Sequence, residues 1–178
     1  RIGGAIASYN RDGYGTNLNT GAESYDKDVL AGRLSVEFQP TDNSFFRLAY
    51  DRTEDNSNPR HGHREVAGTG VGSGVTSNVY DTYAGVGDDN SVITEGVSLT
   101  GEFYINDGLT FKSISAYRSG ETDTVIDFDN TPAATLDIPA VYSDRQFTQE
   151  FQLQFESERV QGVVGAYYMN AKAAGAFD

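Results

Sequence analysis

The chain contains no cysteine and no tryptophan among its 178 residues. Without thiols, disulfides and thiolate metal sites are excluded. Its two histidines, His61 and His63, are too few for a closed metal site. No run of about 18 apolar residues occurs, so no membrane-spanning helix is expected. The mean hydropathy of -0.48 agrees with that. It does not bear on a membrane barrel, whose alternating strands look hydrophilic on average. Basic residues are also scarce: 13 Lys and Arg stand against 26 Asp and Glu, giving a net charge of -13 and a pI near 4.4. That balance makes nucleic acid an unexpected partner and suits a solvated surface or a site that attracts cations.

What the chain has instead is 20 Gly, 11 Tyr and 10 Phe. Turn formers and aromatics at this level favour an all-β protein. The length is sufficient for one domain with a sizeable core. The clearest strand is Arg145 to Phe155, RQFTQEFQLQF. Phe147, Gln149, Phe151, Leu153 and Phe155 share one side, and Thr148, Glu150, Gln152 and Gln154 the other. Side chains alternate along a strand, so one face is nearly all apolar and the other polar. Such a ribbon meets a second sheet in a soluble sandwich, or lipid in a membrane barrel.

The same alternation runs through Val29–Gln39, Ser44–Thr53, Ser91–Ile105, Leu109–Arg118 and Val160 to about Asn170. It is weaker in Arg1–Tyr9, where Gly3 and Gly4 blur it. Pro40-Thr41-Asp42-Asn43, Asn106-Asp107-Gly108 and Glu156–Arg159 read as tight turns. Between them lie long polar stretches: Asn10–Lys27, Glu54 to about Asn90, and the acidic Ser119–Asp144. Long and short connections therefore alternate strictly, as in outer-membrane barrels. Strands of roughly ten residues match what a tilted bilayer crossing requires. Phe38, Phe46, Phe103, Phe111 and Phe155 fall toward the short turns, while Tyr50, Tyr117 and Phe147 fall toward the long loops. Two ring rows around an aliphatic middle are the pattern of interfacial girdles. About seven strands is an odd number, whereas a complete bacterial barrel uses an even one of at least about eight. The chain also opens on Arg1 and stops at Asp178 within a strand pattern, so the expectation is a wall segment of a longer protein.

The block LTFKSISAYRSGETDTVIDFDNTPA, then DIPAVYSDRQFTQEFQLQF and GVVGAYYMNAKA, resembles the barrel of TonB-dependent outer-membrane receptors. The earlier ASYNRDGYGTNLNTG and DKDVLAGRLSVEFQPTDNSFFRLAYDRTEDNSNPRHGHR resemble the same family's first strands and loops. The resemblance implies an antiparallel transmembrane barrel of about 22 strands, closed by a plug domain. It implies residence in the bacterial outer membrane, among lipid and lipopolysaccharide. It also implies TonB-coupled import of a small nutrient: a ferric siderophore or other iron complex, cobalamin or an oligosaccharide. Plug and TonB box are absent from this sequence, so it supplies wall and loops. Neither enzymatic activity nor a cofactor is expected. The alternatives are a small eight-stranded structural or adhesive barrel, and a secreted carbohydrate- or calcium-binding sandwich.

Candidate ligand contacts sit in the long loops. Arg60, His61, His63 and Arg64 form the most basic spot in an acidic chain, suited to an anionic ligand. Tyr80 and Tyr83, with Tyr14, Tyr25 and Tyr142, are candidates for stacking on a sugar or catecholate. Glu121, Asp123, Asp127, Asp129, Asp137 and Asp144 offer hard oxygen ligands without EF-hand spacing, so a solvated acidic loop is expected and no metal. Glu37, Glu102 and Glu150 share polar faces with Arg33, Arg47 and Lys112, where pairing across strands is expected.

Overall fold

A computed structural model describes residues 1–177. Seven strands form one antiparallel sheet in the order β1-β4-β5-β6-β7-β8-β9. They are β1 (Ile2–Arg11), β4 (Lys27–Thr41), β5 (Ser44–Asp55), β6 (Asn90–Asn106), β7 (Leu109–Asp127), β8 (Asp137–Glu156) and β9 (Gln161–Phe177). A two-stranded ribbon, β2 (Gly15–Thr16) with β3 (Glu23–Ser24), lies in the first long loop. Tight connections sit at 42–43, 107–108 and 157–160, as the turn residues predict.

Several expectations change. The strands reach 15 to 20 residues in β4 and β6–β9, well beyond ten. Most of the presumed acidic loop is ladder, with Glu121 opposite Ser143 and Ile126 opposite Ile138. Polar side chains on both faces hide the period there, but the backbone still pairs. The glycine-blurred first strand is complete, since Gly3 and Gly4 pair with Ser35 and Leu34. A sizeable core does not form. Among the described residues the buried hydrophobics are Ala84 and Ala140. The accessible surface is 11441 Å², against about 8,500 Å² for a compact monomer of this mass. Nor, among the described residues, does a second sheet cover the first, as a sandwich would require. One layer has two open faces, and each needs a medium or a partner.

The faces are distinct. Phe46, Phe103, Phe111 and Phe151 form a continuous row of rings on one face, with neighbouring centroids 5.5, 6.2 and 6.0 Å apart. The other face carries charge. Lys112 meets Glu102 at 2.8 Å, and Arg118 reaches past Gly96 to Asp51 at 2.9 Å. Pairing across strands, expected for Glu102, is therefore present. Glu37 instead meets Arg1 at 3.7 Å, and Glu150 accepts from Gln152 at 2.6 Å.

Register adds what parity cannot. The apolar side of β4 runs from Leu30 to Phe38, centred on Leu34; that of β8 runs from Phe147 to Phe155, centred on Phe151. Leu34 lies in register with Tyr50, Val97, Tyr117 and then Phe147. The apolar window thus slides from Phe147 to Phe151 over the steps from β4 to β8, or about one residue per strand. A slip of about 3.3 Å per strand spacing of about 4.8 Å tilts the strands about 35° from the window's normal.

A Cβ on Gly108 would overlap the Glu156 carbonyl, where the β6–β7 turn abuts the end of β8. Gly32 has nothing within 4 Å. Gly108→Ala should therefore cost about 1–3 kcal/mol in denaturant unfolding, and Gly32→Ala close to nothing.

Candidate functional site

The long connections, 12–26, 56–89 and 128–136, do not project separately. They interlock at one end of the sheet through short polar side chains. Asn17, fully buried, donates from Nδ2 to Ala84 O at 3.1 Å and to Asp88 Oδ1 at 3.0 Å. Its Oδ1 accepts from the Asn19 and Thr20 backbones at 3.0 and 3.4 Å. Leu18 N donates to Thr82 O, Thr82 N to Thr16 O, and Thr16 N to Asp81 Oδ1, at 2.8, 3.1 and 2.9 Å. A Cβ at Gly15 would occupy the position of the Tyr80 carbonyl, so the first two loops touch backbone to backbone. The third loop is tied in by Arg64, which donates to Asp129 O at 2.6 Å, and by Gly85 N, which donates to Asp127 Oδ2 at 2.8 Å.

Under this assembly, on the charged face, lies a cavity of about 340 Å³ lined by Lys27, Asp55, Asn58, Arg60, His61 and Asp127 among others. Lys27 meets Asp55 at 3.3 Å. Burial alone would raise the Asp55 carboxyl, but hydrogen bonds from the Ser57 hydroxyl and amide and from Lys27 outweigh it and lower the pKa. Asp55 is thus held as a carboxylate. His61 is 5% exposed, donates from Nε2 to Gly87 O at 3.0 Å and stands 3.8 Å from Asp88 Oδ1. Arg60 is exposed at the cavity edge, and its guanidinium makes no hydrogen bond or ion pair among the described residues. The site therefore pairs a fixed carboxylate and a buried imidazole with one uncommitted cation. It can bind polar or anionic groups.

The candidate contacts consequently divide. Arg60 and His61 line the cavity. His63 lies 3.0 Å from the Thr76 hydroxyl, away from it, and Arg64 is engaged in bracing Asp129. Tyr80 packs on Tyr14 and Tyr25, at 5.4 and 5.2 Å, while the Arg11 guanidinium covers Tyr14 at 3.8 Å. Tyr83 is half-buried beside Gly72. Tyr142 is not in a loop at all; it sits in β8 against Phe177. Lys27, Asp55 and Asn58 escaped the sequence reading. Extending the β4–β5 pairing back from Phe38–Phe46 would have placed Asp55 opposite Val29, two residues from Lys27.

Of the acidic residues, Asp127, Asp129 and Asp137 gather with oxygens within 4.8 Å of one another. Asp127 uses its oxygens to accept from the Gly85, Asp129 and Asn130 amides, which is a loop-bracing role. Glu121, Asp123 and Asp144 stand elsewhere along the strands.

No family model matches the chain, and no curated protein matches it. Among solved structures, its fold is similar to that of the ferric yersiniabactin uptake receptor FyuA from Yersinia pestis. The TM-score is 0.68 and the identity 18%, and the match covers 99% of this chain but 27% of the receptor. The likeness is one of fold. It fits a segment of β-barrel wall, here an unclosed sheet.

Two outcomes follow for the loop assembly. Asn17→Ala strands the Asp88 carboxylate and two backbone amides, and should loosen the first two loops by about 1–3 kcal/mol, read as faster amide exchange over 17–22 and 82–88. For Asp137, burial and then the Asp127 and Asp129 charges raise the carboxyl above its ordinary 3.8. A carboxyl raised on folding stabilises while protonated: its contribution is full below 3.8 and is lost as pH climbs through the folded value. Asp137→Asn should remove that loss, so that exchange over 128–136 at neutral pH slows relative to the parent chain.

Proposed function

We propose that this chain is part of the barrel wall of a TonB-dependent outer-membrane receptor, whose interlocked loops help to capture a small nutrient for energised import. The sliding apolar window carries this reading. A tilt of about 35° lies at the edge of the range for outer-membrane barrels, about 35–45°. The apolar run from Phe147 to Phe155 measures about 26 Å along the strand at 3.3 Å per residue, or about 22 Å along the membrane normal at that tilt, near the lipid-facing band of about 25 Å. The apolar face then meets lipid, and the charged face meets the lumen or the plug. The reading is supported by the similarity of fold to a ferric siderophore uptake receptor, which makes an iron complex the first ligand to test. TonB would act through a plug supplied by the rest of the protein. The role is capture and passage, with no chemical conversion.

Arg60, His61 and the Lys27–Asp55 pair are the contacts this chain would contribute, toward a polar or anionic ligand. In the intact receptor, Arg60→Ala should weaken uptake-competent binding about fivefold, the value of one charged contact of about 1 kcal/mol. His63→Ala should leave binding unchanged. Equal effects at both positions would remove the cavity from the capture site.

The membrane reading has its own test. Phe151 is the midpoint of the β8 window, and a lysine there should cost about 2–4 kcal/mol in unfolding from lipid bilayers. Gln152→Lys, on the opposite face, should cost little. Similar penalties at both residues would mean that this face never meets lipid.

A further inference from the structure

Among the described residues, Tyr25 and Asn130 are the non-glycine positions with left-handed backbones, at φ 64° and 52°. Asparagine tolerates that region, whereas a tyrosine is strained there by its bulky side chain. Such strain persists only where the surroundings over-determine it, and it gathers at ligand clamps. Tyr25 lies between β3 and β4, two residues before Lys27, which lines the cavity.

The effect of the bend is seen at Asn58. Its Nδ2 donates to Glu23 O at 2.8 Å, and its backbone N to Asp26 Oδ1 at 3.0 Å. Glu23 and Asp26 would stand about 10 Å apart along an extended strand. They grip one residue because the chain turns between them, at Tyr25. Asp28 N donates to Ser57 Oγ at 3.0 Å, and the Tyr25 hydroxyl makes a long contact, 3.4 Å, to His61 O. Segment 56–61 is thus held along segment 23–28, and it sends Asn58, Arg60 and His61 into the cavity wall.

Tyr25 is itself clamped. Its carbonyl accepts from Arg11 Nη2 at 2.6 Å, where the end of β1 pairs with Lys27. Its ring stands edge-on to Tyr80 at 5.2 Å. The bend is therefore fixed from the ladder and from the loops together.

We propose that Tyr25 is a positioning residue for the capture cavity, acting through its left-handed backbone to set the places of Arg60 and His61. This rests on the capture reading above. The backbone is the working part, since it brings Glu23 and Asp26 to Asn58; the hydroxyl adds one long contact. Glycine adopts the same φ without strain, and valine, branched at Cβ, does not. The two substitutions separate the bend from the side chain.

In the intact receptor, His61 would be labelled with diethyl pyrocarbonate, with His63 as internal reference. Binding would be titrated with ferric citrate, an anionic iron complex. His61 is 5% exposed and should label slowly in the parent protein. Tyr25→Val should speed its labelling several-fold relative to His63. The same variant should weaken ferric citrate binding about fivefold, the share of one charged contact, and add nothing to Arg60→Ala. Tyr25→Gly should lower stability through the lost ring, yet keep slow labelling and parental affinity. Tyr25→Ala replaces the valine variant should that fail to fold, with effects between the two. Unchanged labelling in Tyr25→Val, equal changes in Tyr25→Gly, or a loss additive with Arg60→Ala would each overturn the proposal. Parent binding indifferent to Arg60→Ala would overturn the capture reading instead, and the labelling alone would then judge Tyr25.

Discussion

Every buried backbone amide and carbonyl has to find a partner, and in this chain the ladder between strands is where most of them find it. The structure depends on that constraint more than on any side-chain core. The buried hydrophobics among the described residues are two alanines, far too little to hold a domain of this size by itself. The ladder is instead continuous from β1 to β9. It extends well past the amphipathic window into polar sequence, and the loops it carries can pack against each other at one end. Apolar area then works sideways: it fixes which face turns to which medium, and the rings along Phe46, Phe103, Phe111 and Phe151 knit adjacent strands on that face.

The loop assembly solves the same problem without regular structure. Segment 56–89 has no strand of its own, yet the Asn17 and Asp127 side chains partner its Ala84 carbonyl and Gly85 amide, and its own Asp81 in turn accepts from Thr16 N. Short side chains with fixed reach suit this work, because they satisfy amides locally at small cost in conformational entropy. A polar cavity is left beneath, with Arg60 uncommitted at its edge. Stiff loops around an open cavity lose less entropy on binding than free ones do.

Several of the residues singled out in the sequence belong to this scaffolding. Arg64 and Tyr80 looked like ligand contacts because they are a cation and an aromatic in a long loop. In place, Arg64 braces the Asp129 carbonyl and Tyr80 packs between Tyr14 and Tyr25. A loop as polar as this one has its own backbone to satisfy before it can serve a ligand, and residue type alone does not say which task a side chain performs.

The chain's own order of residues determined the faces, the tight turns and the alternation of long and short connections. These are local properties: parity along a strand and the turn chemistry of Asp42-Asn43 or Asp107-Gly108 need no knowledge of distant neighbours. Tertiary structure alone decided the register between β4 and β8, and with it the tilt, because that offset accumulates across strands more than a hundred residues apart in sequence. It also decided where the strands stop. Polar stretches such as Glu121–Asp127 carry no periodic signal, and they become strand only because Val141, Ala140 and Ile138 lie opposite. The cavity at Arg60 and His61 was fixed the same way, by which residues the ladder and its loops bring side by side.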